Sequence, residues 1–356
     1  MRYLIVQDWQ NTKGNHAGMV HMCRLLCEKF PTEYKMIVKD CPTPLKVRNN
    51  TILKKIMVRY DREIYRREYV RDYMRICQDM FMSLKEGDSV FLLEYNETQP
   101  TQFELACYIK KNYPYVKIFA MSHLTPSYFR HEKNVQKRVL KWDVPIDKHL
   151  TLGSSLTDYL VTLGIPRNKI STGFHYVDNA YYKGSAASIN NPRRIITMGA
   201  LQRDYCMIAS IVKETPEVEW VICRGRKATV DDYFPKSPNV HLLGYMEEDE
   251  LRKQMGLADA SLNVMLDTVG SNVITTSLSM GLVMFVSDVG SIRDYCDEKN
   301  AFFCSNTVSS FVAAIHRFAE IEDGVAKNMK NASIDKSKVI SIEKVNEWFS
   351  LVEKSV

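Results

Sequence analysis

The chain contains two successive series of short apolar segments that alternate with amphipathic segments, and this alternation limits its fold more than any other feature. In the first series, strand patterns occur at 2–7, 34–39, 89–93, 116–121 and 149–152. In the second series, they occur at 194–198, 219–223, 240–243, 260–264 and 282–287. Strands that alternate with helices form parallel sheets covered on both faces. The sequence therefore predicts an α/β protein with two doubly wound, Rossmann-like domains facing each other across a cleft.

The length of the chain and one stretch of its composition predict where these domains begin and end. With 356 residues, the chain is long enough for two domains with separate cores. We expect the first domain at 1–175 and the second at 193–338. Residues 176–192 between them are predicted as a linker, because the segment 171–192 carries Gly173, Gly184, Ser185, Ser188, Asn190, Asn191 and Pro192. An amphipathic helix within 339–356 is expected to cross back to the first domain.

Several classes of protein are disfavoured by the sequence. No apolar run approaches the ~18 residues that a membrane-spanning helix needs. The segment 1–8 is interrupted too early for a signal peptide and predicts a first strand instead. The nine cysteines are scattered and form no CxxC pair, which favours reduced thiols in a cytoplasmic protein and no structural zinc. The acidic runs at 231–232 and 247–250 lie in polar segments, so we expect a solvated surface there and no bound metal.

The window 46–75 is unusually basic. It holds ten Lys or Arg and four acidic residues, so its net charge of +6 equals that of the whole chain. Ile, Leu, Met and Tyr recur in it at helical spacing. A basic amphipathic helix of this kind binds anionic membrane surfaces. Nucleic acid is not expected as a partner, because no nucleic-acid motif occurs elsewhere. The alternative is a solvated helix that packs on its own domain and covers apolar surface with its Arg stems.

A Gly-Ser-Asn turn at 270–272 precedes a short helix pattern and then a buried strand pattern. Ser271 or Asn272 is expected to cap this helix. The backbone N–H groups at the start of such a helix, including that of Val273, attract phosphate through hydrogen bonding and the helix dipole. A phosphate-bearing ligand beside the sheet is the resulting hypothesis. The alternative is an ordinary capped helix.

Other polar residues follow predicted strands, where a parallel sheet places its ligands. Arg203 comes after the strand at 194–198 and a Gly turn, and either Arg224 or Arg226 comes after the strand at 219–223. Arginine binds phosphate through two parallel hydrogen bonds. In the first domain the candidate residues follow three strands: Gly14, Asn15, His16 and Gly18 after the first, Glu94 and Tyr95 after the third, and His123 after the fourth. A simple turn at the glycines and a structural histidine at 123 are the alternatives.

The order of several short motifs resembles that of the GT-B glycosyltransferases, in particular the retaining enzymes of family 4. The C-terminal half carries most of the resemblance. Its motifs are Met-Gly-Ala-Leu-Gln-Arg-Asp at 198–204, Asn-Val-His-Leu-Leu-Gly-Tyr at 239–245, Leu-Ala-Asp-Ala at 257–260 and the Gly-strand-Ser-Asp-Val-Gly block at 281–290. In the first half, Ser-Ser at 154–155 and Leu-Gly-Ile-Pro at 163–166 are similar to the close of the acceptor domain.

The resemblance implies roles for individual residues. The glycine loop at 14–18 would lie near the phosphate and sugar of a nucleotide-sugar donor, Tyr245 near its base, and His123 near the reacting carbon. His16, Glu94 and Tyr95 would lie on the acceptor side. The resemblance also implies that no metal or other cofactor is required.

This chain departs from the family pattern at three positions. Thr268 and Thr276 stand where much of the family has two glutamates that flank the sugar and the ribose. Asp267, one residue before the first of these positions, is the expected substitute and a candidate catalytic residue. Ala200 stands where the family has an arginine, so Arg203, Arg224 or Arg226 is expected to neutralise phosphate.

The function implied by the resemblance is sugar transfer from a nucleotide-sugar to a glycan or lipid-linked acceptor, as in surface polysaccharide or glycoconjugate synthesis. The expected location is the cytoplasm or the inner face of the cell membrane. Because both family glutamates are missing, a non-catalytic binding or partner subunit stays open as an alternative. A nucleotide-sugar epimerase of the same fold is the other alternative. The sequence identifies neither the sugar, the base, the acceptor nor the linkage.

Overall fold

The computed structural model describes residues 1–9, 14–41, 67–68, 70–95, 102–130, 134–199, 203–226 and 228–356. These residues form two compact units. The first consists of 1–152, 156–173 and 346–356, and the second consists of 153–155 and 174–345. Each unit contains one six-stranded sheet, and every strand pair in both sheets is parallel. The predicted α/β class with two Rossmann-like sheets is confirmed.

The sheet of the first unit has the strand order β2-β1-β3-β4-β5-β6. Its strands are β1 (Arg2–Trp9), β2 (Tyr34–Cys41), β3 (Ser89–Leu92), β4 (Lys117–Ser122), β5 (Lys148–Thr151) and β6 (Ile170–Thr172). The helices are α1 (Met19–Lys29), α2 (Gln78–Ser83), α3 (Phe103–Asn112), α4 (Pro126–Arg130), α5 (Val135–Asp143) and α6 (Ser154–Thr162), of which 154–155 belong to the second unit. The sheet is buried because apolar side chains such as Ile5, Val90 and Ile118 exclude water from it.

The sheet of the second unit has the strand order β12-β11-β10-β7-β8-β9. Its strands are β7 (Arg194–Met198), β8 (Glu219–Cys223), β9 (Val240–Leu243), β10 (Ala260–Asn263), β11 (Val283–Ser287) and β12 (Ala301–Cys304). The helices are α7 (Tyr205–Glu214), α8 (Glu248–Gly256), α9 (Asn272–Ser279), α10 (Ile292–Tyr295), α11 (Val308–Glu320) and α12 (Asp323–Lys338). Trp220, Phe285 and Phe318 are among the largest side chains of its core.

The helix α13 (Ile342–Lys354) follows α12, and from residue 346 onward it is part of the first unit. The ring of Phe349 stacks on that of Phe91 in β3, with ring centroids 4.5 Å apart. Arg2 at the start of β1 pairs with Glu353, with Nε and Oε2 2.7 Å apart. Two strands of the first unit, β3 and β1, therefore depend on contacts with residues more than 250 positions away in the sequence.

All ten predicted strands are confirmed, with bounds that agree within two residues. The structure adds β6 and β12, which the sequence analysis did not predict, and the 16-residue helix α12. Residues 176–192, predicted as a linker, lie within the second unit, where the buried carbonyl groups of Tyr176 and Tyr182 accept hydrogen bonds from Thr275 and Ser279.

The predicted basic helix at 46–75 falls mostly outside the described residues. Only 67–68 and 70–75 of that window are described, and they are helical. Within the described part of the chain, no helix is both long enough and apolar enough to span a bilayer.

Candidate functional site

The strand order of the second unit creates a crevice at the carboxyl ends of its two central strands. The chain passes from β7 to β8 and β9 on one side, and then returns to place β10 next to β7 on the other. The segments that follow β7 and β10 therefore leave the sheet in different directions. Ligands of doubly wound proteins bind at such a switch point, beyond the carboxyl ends of the strands. Arg203 follows β7, and the 267–273 segment follows β10.

Arg203 presents a positive charge at this switch point. Its backbone forms an isolated bridge with Met265, just after β10. Its Nε donates to the carbonyl oxygen of Met198 and its Nη2 to Oδ1 of Asn263, both at 3.4 Å. Burial lowers the pKa of Arg203 to about 10, so the guanidinium remains protonated at neutral pH. No carboxylate among the described residues forms an ion pair with it.

The start of α9 presents hydrogen-bond donors next to Arg203. Ser271 is the N-cap, as predicted, and its Oγ accepts from the N–H of Ile274 at 3.4 Å. The N–H groups of Asn272 and Val273 have no acceptor within the described parts of the chain. A β-carbon built on Gly199 would lie 3.0 Å from Val273 Cγ2 and 3.8 Å from Arg203 Nη2. The helix start and the guanidinium thus both lie next to Gly199, and together they form a site that favours anions.

The turn before α9 is held by a buried tyrosine. Gly270 has a φ of +94°, a conformation that glycine adopts without strain. The hydroxyl of Tyr295 accepts a hydrogen bond from the N–H of His175 at 2.7 Å and donates to the carbonyl of Val269 at 3.3 Å. Tyr295 therefore fixes the direction from which the chain enters the helix.

The two threonines at the family's glutamate positions use their hydroxyl groups in local structure. Thr276 is buried, and its Oγ1 donates to the carbonyl oxygen of Asn272 at 2.6 Å. Thr268 is buried too, and its Oγ1 accepts from the N–H of Gly270 at 3.1 Å. Asp267 is partly exposed, and its Oδ1 accepts from the N–H of Thr268 at 2.8 Å. Asp267 and Thr268 therefore help to shape the turn that leads into α9, whereas the Thr276 hydroxyl bonds the backbone within the helix itself.

The two arginines after β8 differ in their surroundings. Arg224 forms an ion pair with Asp231, so its charge is already balanced. Of the two arginines predicted as alternatives for phosphate neutralisation, this ion pair favours Arg226. The exposed Arg226 instead lies over the ring of Tyr245, 4.4 Å from the centroid. Tyr245 is 53% exposed, so this pair offers a cationic and aromatic surface to a ligand.

The candidate residues of the first unit surround its own switch point, between β1 and β3. Gly14 has a φ of +82°. Oδ1 of Asn15 accepts from the N–H of Ala17 at 2.7 Å, and Gly18 is the N-cap of α1, without a side-chain cap. The ring of His16 contacts that of His21, with centroids 4.2 Å apart.

His123 follows β4, and its ring is fixed by the neighbouring strand. Its Nε2 lies 2.5 Å from the carbonyl oxygen of Leu93. Because a carbonyl oxygen only accepts, Nε2 carries a proton in this contact.

The structure corrects one acceptor-side prediction. Tyr95 is fully buried in the core of the first unit, and its hydroxyl donates to the carbonyl oxygen of Trp142 at 2.7 Å. Its side chain therefore stabilises the fold and is not positioned to contact an acceptor. Glu94 is also largely buried, and its N–H is bonded to Oε1 of Gln102 at 3.0 Å.

Three residues near the start of α9 were missed by the sequence analysis: Gly199, Asn263 and Tyr295. A signal was present for Asn263, since asparagine is uncommon in strands. Gly199 belongs to a motif that the analysis quoted, but its contacts with two other site residues depend on the fold. Tyr295 lies 25 residues beyond the glycine that it contacts, and no local pattern connects them.

The comparisons with known proteins bear on the fold. No protein-family model matches the chain, and no curated protein matches it. Among solved structures, sucrose-phosphate synthase from Thermosynechococcus elongatus is 8% identical, with a TM-score of 0.72 and all of both chains covered. Anabaena HepE in complex with UDP-glucose is 10% identical, with a TM-score of 0.69, and 99% of this chain and 100% of that chain are covered.

A glycosyltransferase from Rickettsia africae is also similar, at 10% identity and a TM-score of 0.66, with 99% of this chain and 98% of that chain covered. The chain therefore has the fold of the GT-B glycosyltransferases along its whole length, and the resemblance stated from the sequence is confirmed for the fold.

Proposed function

We propose that the chain is a glycosyltransferase that takes its sugar from a nucleotide-sugar donor. The observation that carries the proposal is Arg203, a protonated guanidinium without a carboxylate partner among the described residues, next to the N–H groups of Asn272 and Val273. A partly buried cation without a counter-charge is costly for the protein alone. An anionic ligand such as a diphosphate would offset this cost. HepE, which has the same fold, was solved with UDP-glucose.

In this proposal, the second unit binds the donor. Arg203 and the start of α9 would hold the diphosphate, and the exposed pair of Arg226 and Tyr245 would stack against the nucleoside. Negative charge grows on the diphosphate as the sugar departs. Donors already oriented toward that charge stabilise the transition state without reorganisation. Donor positioning and charge stabilisation would therefore supply most of the catalysis.

The first unit supplies the remaining proposed residues. Because His123 follows β4 and the family resemblance puts it near the reacting carbon, its ring would hydrogen-bond a hydroxyl of the sugar or of the acceptor. His16, Glu94 and the glycine turn of Gly14, Asn15 and Gly18 keep the roles that the family resemblance implies. In the second unit, Asp267 would hydrogen-bond the sugar, as the expected substitute for the first missing glutamate.

We further propose a retaining, metal-independent transfer to a glycan or lipid-linked acceptor, in surface polysaccharide or glycoconjugate synthesis at the cytoplasmic face of a membrane. The family resemblance supports this reading, and so does the basic window at 46–75. A positively charged amphipathic segment would bring the protein to a surface that carries lipid-linked acceptors.

One observation favours a second function. Threonines stand at 268 and 276 in place of the family's two carboxylates, and their hydroxyl groups are used in hydrogen bonds to the backbone. A subunit that binds a nucleotide-sugar without transferring the sugar is consistent with this. The two functions differ in turnover: only the enzyme transfers or hydrolyses the sugar.

Titration of the purified protein with nucleoside diphosphates of all bases, followed by calorimetry, tests the donor site. Replacement of Arg203 by Gln removes a charged hydrogen bond, which is expected to weaken binding about 10- to 100-fold. Arg194→Gln is the matched control. Arg194 is the first residue of β7, the strand that precedes Arg203, and it pairs with Glu219 at the amino-terminal ends of the strands. Equal losses in both variants, or no binding by the wild type, would refute the donor site.

Turnover is tested separately, by incubating the protein with the nucleotide-sugars of the base that binds and identifying the products by mass spectrometry. Transfer or slow hydrolysis of the sugar is expected for the enzyme. Binding without any loss of donor, across all sugars tested, would favour the non-catalytic subunit.

A further inference from the structure

We propose that Asn263 is a positioning residue that orients the Arg203 guanidinium and keeps its charge available for the donor diphosphate. The inference rests on the proposed function of the site. It assigns to Asn263 a role that depends on its being an amide and not a carboxylate.

The orientation of the Asn263 amide is determined by its partners. Asn263 is fully buried at the end of β10. Its Nδ2 lies 3.3 Å from the carbonyl oxygen of Ser261 and 3.0 Å from Ser261 Oγ. Because a carbonyl oxygen only accepts and a guanidinium only donates, the amide nitrogen must face Ser261 and the amide oxygen must face Arg203. Ser277 extends the contact, with its Oγ 3.2 Å from Ser261 Oγ.

The amide oxygen and the Met198 carbonyl fix the plane of the guanidinium. They accept from Nη2 and Nε of Arg203, one on each side. Within the described residues, the remaining N–H groups of the guanidinium, both on Nη1 and one on Nη2, have no acceptor. The guanidinium lies at the carboxyl ends of β7 and β10, where Arg203 and Val273 both lie close to Gly199. The guanidinium is thus held in one plane while most of its hydrogen-bonding capacity is kept for a ligand.

The neutrality of Asn263 is as important as its geometry. A carboxylate at this position would form an ion pair with the guanidinium, as Asp231 does with Arg224. An ion pair of this kind cancels the positive potential that attracts phosphate. A neutral oxygen orients the same group and leaves its charge uncompensated. An amide is therefore the side chain that provides orientation without neutralisation.

The isosteric replacement Asn263→Asp separates these two effects. It preserves shape, and the hydroxyl of Ser261 can rotate to donate to the new carboxylate. We expect the affinity for a nucleoside diphosphate to fall about 10- to 100-fold, as when Arg203 itself is replaced. The matched control is Asn300→Asp, which introduces the same charge at another fully buried amide of this unit, hydrogen-bonded to Ser333. The control is expected to bind like the wild type.

A double-mutant cycle measures whether Asn263 acts through Arg203. In the Asn263→Asp protein, the further change Arg203→Gln should cost at most about twofold, because the charge that it removes is already neutralised. A purely structural role of Asn263 would leave the full effect of Arg203→Gln in place. That result in a folded Asn263→Asp variant, or an unchanged affinity of this variant, would overturn the inference.

A second variant covers the case in which Asn263→Asp does not fold. Asn263→Ser keeps a polar group for Ser261 but is too short to reach the guanidinium, and it should weaken diphosphate binding several-fold. A folded Asn263→Ser variant with wild-type affinity would contradict the proposal. If the wild type binds no nucleoside diphosphate, the proposed function itself has failed, and the wild-type titration alone reveals that outcome.

Discussion

The hydroxyl of Tyr295 lies 2.2 Å from the position that a β-carbon on Gly270 would take. Residue 270 must therefore be glycine for two independent reasons: its positive φ and the space that the tyrosine occupies. The hydroxyl of the same tyrosine is hydrogen-bonded to two backbone groups, the carbonyl of Val269 and the N–H of His175. The entry to α9 is rigid before any ligand binds, so its N–H groups are already oriented.

Replacement of Gly270 by Ala should disturb both stability and binding. The backbone strain alone is expected to lower the free energy of unfolding by about 1–3 kcal/mol, and the contact with Tyr295 adds to it. Because the start of α9 must shift, the affinity for a nucleoside diphosphate should fall as well. Chemical denaturation and calorimetry measure the two effects.

Gly324→Ala is the control for this substitution. Gly324 lies in α12, and a β-carbon on it would meet no other atom within 4 Å. Alanine there is expected to raise the free energy of unfolding by about 0.5–1 kcal/mol. A Gly270→Ala variant that behaves like this control would contradict the rigid-entry interpretation.

Diphosphate binding should not depend on a divalent metal. In the proposed site, the charge of Arg203 and the N–H groups of α9 would supply the neutralisation that a metal ion provides elsewhere. Asp267, the carboxylate nearest in sequence to the start of α9, has one oxygen bonded to the N–H of Thr268. We expect equal affinities in EDTA and in magnesium. Binding that is detected only with magnesium or manganese would show that the neutralisation has been assigned to the wrong groups.

The first unit should lose stability as the pH falls below neutral. Burial lowers the pKa of His149, although its hydrogen bond to Asp143 opposes this effect. The folded protein therefore keeps the imidazole neutral at pH values where the unfolded chain, with a pKa of about 6.5, binds a proton. Since the unfolded state then binds more protons, the stability from this group is fully present above about pH 6.5 and decreases as the pH falls.

The contribution of His149 can be isolated by measuring the free energy of unfolding at neutral and mildly acidic pH. We expect His149→Asn to reduce the difference between the two values, whatever its effect on stability at neutral pH. An identical pH dependence in wild type and His149→Asn would assign the acid sensitivity to other groups.

The basic window should bind anionic membranes. Each basic residue near such a surface contributes roughly 1 kcal/mol, and salt screens the attraction. Changing Arg59, Arg62, Arg66 and Arg67 together to Glu should therefore weaken co-sedimentation with anionic vesicles by orders of magnitude. Nucleoside diphosphate binding by the second unit should persist and serves as the folding control. A wild type that ignores anionic vesicles at low salt would indicate a packed helix and a soluble acceptor.

The alternation of strands and helices made most of the fold predictable, and the exceptions have physical causes. Helix α12 was missed because its buried face consists largely of small or charged residues: Ala326, Lys330, Ser333 and Ser337. Lys330 is tolerated there because Asp259 lies 3.8 Å away, and that partner is unknown until the fold is known. Strand β6 has only three residues, one of them buried, which is too short to show a period.

At the site, the sequence predicted those features that depend only on residues close together in the chain. The N-cap at Ser271 follows from neighbouring residues, and it is confirmed. The ion pair of Arg224 could not be predicted from the sequence, because its partner, Asp231, lies beyond an intervening turn. Tyr95 was misassigned because a tyrosine after a strand has the same pattern whether it lines a crevice or fills a core. Its environment depends on Trp142, 47 residues further along the chain.

The pairing of Arg2 with Glu353 has a consequence for biosynthesis. Ribosomes deliver a chain from its amino end, and domains generally fold as they emerge. The second unit has all its residues by position 345, whereas the first unit lacks Phe349 and Glu353 until synthesis passes them. During translation, the sheet of the first unit is therefore synthesised before Phe349, and the face of β3 that carries Phe91 lacks this contact until synthesis passes that residue. Nascent chains of this protein are expected to need chaperone protection at that surface.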